Sequence, residues 1–93
     1  MGTFHQGKNE LHGITVVVDT SGPEVFVGRC DDMNEAGILL EDVDVHRDGE
    51  GGLSKAEYIE KTARVGVWVK HRRFVVPGET IVSVRRLGEI ADA

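Results

Sequence analysis

The chain has one cysteine, two prolines, one tryptophan and one tyrosine in 93 residues, and it has no long apolar run. A single cysteine, Cys30, excludes an internal disulfide and gives no sign of an oxidising compartment. No apolar stretch approaches the roughly 20 residues that a membrane-spanning helix needs. The N-terminal MGTFHQGKNE lacks the apolar centre of a secretory signal. Together these absences predict a soluble, cytoplasmic protein with no membrane partner.

Catalytic and metal-binding patterns are also missing. No glycine-rich loop leads into a helix to cradle phosphate, and no Ser/His/Asp arrangement is present. The four histidines (His5, His12, His46, His71) share no ligand spacing, so neither a metal nor a cofactor is expected. Cys30 with His71 is the one conceivable nucleophile–base pair, but a lone strand cysteine ordinarily serves as a small buried hydrophobe. The chain reads as a non-enzyme.

Cations are scarce in the first sixty residues, where 4 Lys/Arg face 13 Asp/Glu. Residues 61–93 reverse the balance with 7 Lys/Arg against 3 Asp/Glu, although the net charge is −5. Such polarity orients subunits against each other or steers an anionic partner to one face; its plainer use is solubility.

Aromatics are few, at 5%, and valine in short runs leads an apolar share of 40%, which favours strands. Ninety-three residues make one domain, 1–93, burying about two thirds of the surface its unfolded chain exposes. An N-terminal extension occupies 1–12. GITVVVDT alternates Ile14, Val16 and Val18 against Thr15, Val17 and Asp19, as a strand does. Ser21-Gly22-Pro23 is a turn, and EVFVGRC is the second strand of a hairpin. DDMNEAG connects to a third strand, GILLEDVDV, in which Leu39, Glu41 and Val43 oppose Ile38, Leu40 and Asp42. VGVWVKHRRFVVP (65–77) is a long fourth strand, Pro77-Gly78 a turn, and ETIVSVRRL the fifth strand. Residues 89–93 form a tail without a pattern. Five strands joined by short turns, with twelve glycines, predict a mostly β protein: a strongly bent, five-stranded antiparallel barrel.

Between strands three and four lies an insert, 46–64, that poses a choice. HRDGEGGLSKAE matches much of a calcium-binding EF-hand loop, with Asp48 third, Glu50 fifth, Gly51 sixth and Glu57 twelfth. His46 stands first, where calcium requires oxygen, and a strand rather than a helix enters the loop. Local backbone chemistry accounts for the same residues. Ser54 and Glu57 make a capping box, with Leu53 and Tyr58 as its hydrophobic staple, so a short helix starts at Lys55.

The best binding patch is Lys70, His71, Arg72 and Arg73, flanked by Trp68 and Phe74. Cations interleaved with aromatics suit phosphates and stacked bases. The alternative is a solvated strand edge, or pairing with the acidic segment 41–50 of the same or a neighbouring subunit.

Two stretches resemble Sm-like (LSm) domains, a family of RNA-associated rings built on an SH3-like barrel. LHGITVVVDTSGPEVFVGRCDDMNEAGILLEDV is similar to the first Sm motif, and VVPGETIVSVRRL to the second. The resemblance implies a five-stranded bent barrel with the helix as an insert between strands three and four. It further implies a homo-oligomeric ring in which the fourth strand of one subunit pairs with the fifth of the next, and binding of single-stranded RNA or an RNP-scaffold role. The family binds uridine-rich RNA with an Asn between strands two and three and an Arg-Gly pair after strand four. Asn34 and Gly78 are the residues at issue here, with Pro77 where the family has Arg. An ungapped match puts Gly37, not Asn34, at the Asn position.

Overall fold

The computed structural model describes residues 10–91. Most of the N-terminal extension, residues 1–9, and the last two residues of the tail lie outside the described residues. Within them the chain forms five strands: β1 (Thr15–Thr20), β2 (Glu24–Asn34), β3 (Gly37–Arg47), β4 (His71–Pro77) and β5 (Ile81–Arg86). Helix α1 (Lys55–Val65) lies between β3 and β4, and a short helix α2 (Leu87–Ala91) follows β5. One antiparallel sheet holds all the strands in the order β4-β3-β2-β1-β5. The sheet stays open, because β4 and β5 each have a single neighbour.

Apolar alternation puts different valines on the two faces. Val16 and Val18 join Phe26, Cys30, Ile38, Leu40, Val43 and Val76 in one cluster. Val17, Val25 and Val27 join Tyr58 and Ile59 in another, on the face that α1 and α2 cover. No helix covers the first face among the described residues, yet Val16, Val18, Leu40 and Val76 are wholly buried there. The sheet must therefore curl over its own side chains. A cavity lined by both Ile38 of β3 and Ile81 and Val84 of β5, with two strands between them, shows the same curvature.

Bulges produce the bend. The β2–β3 register shifts between Val27 and Arg29, and again between Cys30 and Asp32. At the first shift Asp42 takes a left-handed φ of 54°. This interrupts the strict alternation expected of the third strand: Val43 turns to the same cluster as Ile38 and Leu40, instead of opposing them. Gly28 lies beneath the bend, where an added Cβ would come within 3.1 Å of Val43 Cγ2.

Several boundaries differ from the sequence reading. Residues Asp31–Asn34, expected as a connection, belong to β2, which pairs through to Asn34 opposite Gly37. The fourth strand starts at His71 rather than near residue 65, because α1 runs through Val65 and Gly66 leaves it at φ 99°. Leu87–Ala91, mostly assigned to a patternless tail, is helical; Leu87 and Ile90 pack on the helix-covered face.

Candidate functional site

Asn34 closes β2, and only Glu35 and Ala36 separate it from Gly37. Its Oδ1 accepts the Ala36 amide at 2.8 Å, so the side chain shapes the turn that carries it. The β4–β5 turn packs directly on that hairpin. Gly78 donates its amide to Ala36 O at 2.8 Å, and an added Cβ at Gly78 would lie 2.7 Å from Glu35 O. Gly37 has a φ of 152°, and its Cβ would lie 2.1 Å from Val76 O. Only glycine permits this approach. Asn34 and Gly78 thus line one cavity of about 420 Å³, together with Met33, Glu35, Ile38, Ile81 and Val84.

The basic residues sit elsewhere. His71 pairs with Val43 and Arg73 with Glu41, whereas Pro77, at the other end of β4, pairs with Gly37 beside Asn34. Six residues of β3 separate the two ends, roughly 20 Å at about 3.3 Å per residue. Asn34 and the cluster Lys70–Arg73 are therefore two places rather than one site.

Acidic neighbours already occupy part of the cluster. Lys70 Nζ lies 3.3 Å from Asp44 Oδ1, and its backbone amide donates to Val43 O. Asp44 is buried; Tyr58 donates to its Oδ2 at 2.7 Å, while Oδ1 has the charge of Lys70 nearby but no hydrogen-bonding geometry. Arg73 Nε approaches Glu41 only to 4.0 Å, and Glu41 also accepts from Arg29 at 3.0 Å. Arg72 makes no ion pair among the described residues. His71 packs its ring 5.7 Å from that of Phe74. Trp68, in the coil before β4, is 79% exposed, with exposed Val65 and Val69 beside it.

The insert resolves as local chemistry. Ser54 Oγ accepts from the Glu57 amide at 3.1 Å, and Glu57 Oε1 accepts from the Ser54 amide at 2.9 Å. Asp48 Oδ1 accepts the Lys55 amide at 3.0 Å. Asp48 and Glu57, two acids of the EF-hand pattern, thus bind backbone amides instead of converging. His46, the first residue of that pattern, is buried and stacked on Tyr58 at 4.4 Å between ring centroids. Its Nε2 lies 2.9 Å from Leu53 O and its Nδ1 3.5 Å from Glu50. No group of three His, Cys, Asp or Glu is gathered for a metal among the described residues.

Cys30 is buried in the curled face opposite Leu40, and His71 is exposed at the start of β4.

Three features escaped the sequence reading. Lys55 reaches back to the β1–β2 turn, donating to Asp19 Oδ1 at 2.7 Å, Thr20 O at 2.8 Å and Gly22 O at 2.7 Å. The β4 edge exposes Val75 (58%), and β5 exposes Val82 (64%). Arg85 and Arg86 end β5 at the opposite border of the sheet from β4. The doublet is visible in the sequence, but its placement on a free edge depends on strand order.

No family model matches this chain, and no curated protein is similar to it.

Proposed function

We propose that this chain is a non-enzymatic Sm-like module that assembles head to tail into a homo-oligomeric ring and serves as a scaffold for single-stranded RNA. The observation that carries the reading is the pair of sheet edges that have no strand partner among the described residues. A free edge presents a row of unpaired amides and carbonyls. Here β4 and β5 lie at opposite borders of one antiparallel sheet and each displays an exposed valine. Adding the β4 of one copy to the β5 of the next satisfies both edges, and a rotation that closes gives a ring. In this reading the curled sheet is an SH3-like barrel whose seam is completed by neighbours.

RNA binding has support at two places. The hairpin of Asn34 and the turn of Gly78 meet at one cavity, as the family resemblance implies for its two RNA-contacting loops. Pro77 brings no cation there, so phosphate attraction falls to Arg72 and Arg73 on β4, with the exposed Trp68 as a stacking surface for bases. A second reading, self-assembly without nucleic acid, is favoured by Asp44 and Glu41, which already hold Lys70 and approach Arg73.

Val75→Lys tests the assembly. A charge on the edge should abolish the higher oligomer in light scattering while circular dichroism and the melting temperature stay near wild type. A wild-type chain that remains monomeric at high concentration, in low and in high salt and with or without a phosphate-bearing anion, would refute the ring.

A further inference from the structure

We propose that the seam between copies is a binding site for phosphate groups, so that assembly depends on a phosphate-bearing anion. The inference rests on the head-to-tail pairing above and adds the chemistry of the seam.

Side-chain direction restricts the register. In antiparallel pairing, residues directly opposite point to the same face. On β4, Phe74 and Val76 belong to the curled face, so Arg72 shares that face by alternation and Arg73 takes the other. On β5, Arg86 lies opposite Val16 and Val84 opposite Val18, both on the curled face. Arg85 lies opposite Val17 and lines a cleft with Ile59 and Ile90 on the helix-covered face. Arg72 must then meet a residue such as Arg86 or Val84, and Arg73 one such as Arg85 or Ser83. A register that keeps Phe74 against Val84, both on the curled face, puts Arg72 opposite Arg86 and Arg73 opposite Arg85. In that register each seam carries one arginine pair on either face.

Directly opposite side chains have Cβ atoms about 5 Å apart, and like charges at that distance oppose pairing. Internal neutralisation is thin. Arg73 is 4.0 Å from Glu41, Arg86 is 3.8 Å from Glu89, and Arg72 and Arg85 make no ion pair among the described residues. Two guanidinium groups brought side by side are a forked donor set matched to phosphate oxygens. An anion held there turns a repulsive contact into a bridged one. The separated monomer holds only half of each pair, so the anion binds the assembled form preferentially and drives assembly by mass action.

Sedimentation velocity at low ionic strength tests this, with tripolyphosphate as probe and sodium chloride at matched ionic strength as control. Tripolyphosphate at roughly ten times its dissociation constant should lower the protein concentration for half-assembly by about tenfold or more, tenfold being the effect of one occupied site per seam. Chloride at matched strength should do much less. Arg72→Gln/Arg85→Gln removes one member of each pair; it should assemble without the anion and lose the response. A single-stranded RNA oligomer in place of tripolyphosphate separates the sources: RNA acting alone assigns the site to a nucleic-acid backbone, and equal action assigns it to phosphate in general. Wild type that assembles fully without anion, with the double variant unchanged, would overturn the seam site and leave the ring standing. Equal action of chloride would overturn it too, by reducing the effect to screening. If neither protein assembles under any condition, the ring itself fails and the seam with it.

Discussion

Tyr58 buries a hydrogen-bonded hydroxyl beside a buried carboxylate. Its hydroxyl donates to buried Asp44 at 2.7 Å, and its ring stacks on His46. Burial first, then the hydrogen bond and the charge of Asp44, push the phenol well above the ordinary tyrosine value. The folded state thus keeps its proton in a range where the unfolded chain, with a pKa of about 10, has lost it. The stability this contributes is complete below about pH 10 and is lost as pH rises toward the folded value. Tyr58→Phe should lower unfolding free energy by about 1–3 kcal/mol at pH 7, since Asp44 loses its donor. It should also flatten the decline in stability above about pH 10 expected of wild type in urea titrations. The sequence offers Tyr58 as a helix staple. That its hydroxyl would meet Asp44 depends on how α1 folds back on β3.

At the scale of the element, α1 is the most legible part of the chain. Ser54, Leu53, Glu57 and Tyr58 announce its start, and the cap forms as those residues require. Ser54→Ala should cost about 1 kcal/mol in urea unfolding, equally with calcium or with a chelator. A calcium-dependent difference would reopen the ion-site reading. Where α1 goes was not legible. Lys55 fastens it to the β1–β2 turn through three acceptors, two of them backbone carbonyls, which carry no sequence signal. β4 is shorter than the alternation implies for a related reason. Val65, Val67 and Val69 alternate like a strand, but Val65 ends the helix and only His71 onward finds a partner in β3. Alternation specifies which side chains share a face, whereas a strand also needs a neighbour.

For the whole molecule, charge placement decides what is exposed. The acidic first sixty residues and the basic remainder meet within the fold, as Glu41 with Arg73 and Asp44 with Lys70. The basic cluster that the sequence marks as a phosphate surface is thereby partly spent. RNA bound there should neutralise about two phosphates, giving a slope of log K against log salt near −1.4 for a single strand. Trp68, the only tryptophan, reports that titration by fluorescence. A flat response would leave the self-assembly reading without RNA.

Local pattern alone specifies the number and order of the strands, most of their faces, the capped insert and the glycines at the tight turns. Those features follow from periodicity and backbone conformation, both local properties. Tertiary structure decided the rest. Bulges at Asp42 and near Asp31 curl the sheet until one face buries itself, and packing brings Asn34 to Gly78 while leaving Arg73 about 13 Å and His71 about 20 Å away along β3. Strand order leaves β4 and β5 as free edges carrying Arg72, Arg73, Arg85 and Arg86. Pairing between distant strands is selected by the burial of the whole sheet, so no local pattern encodes which edges stay open.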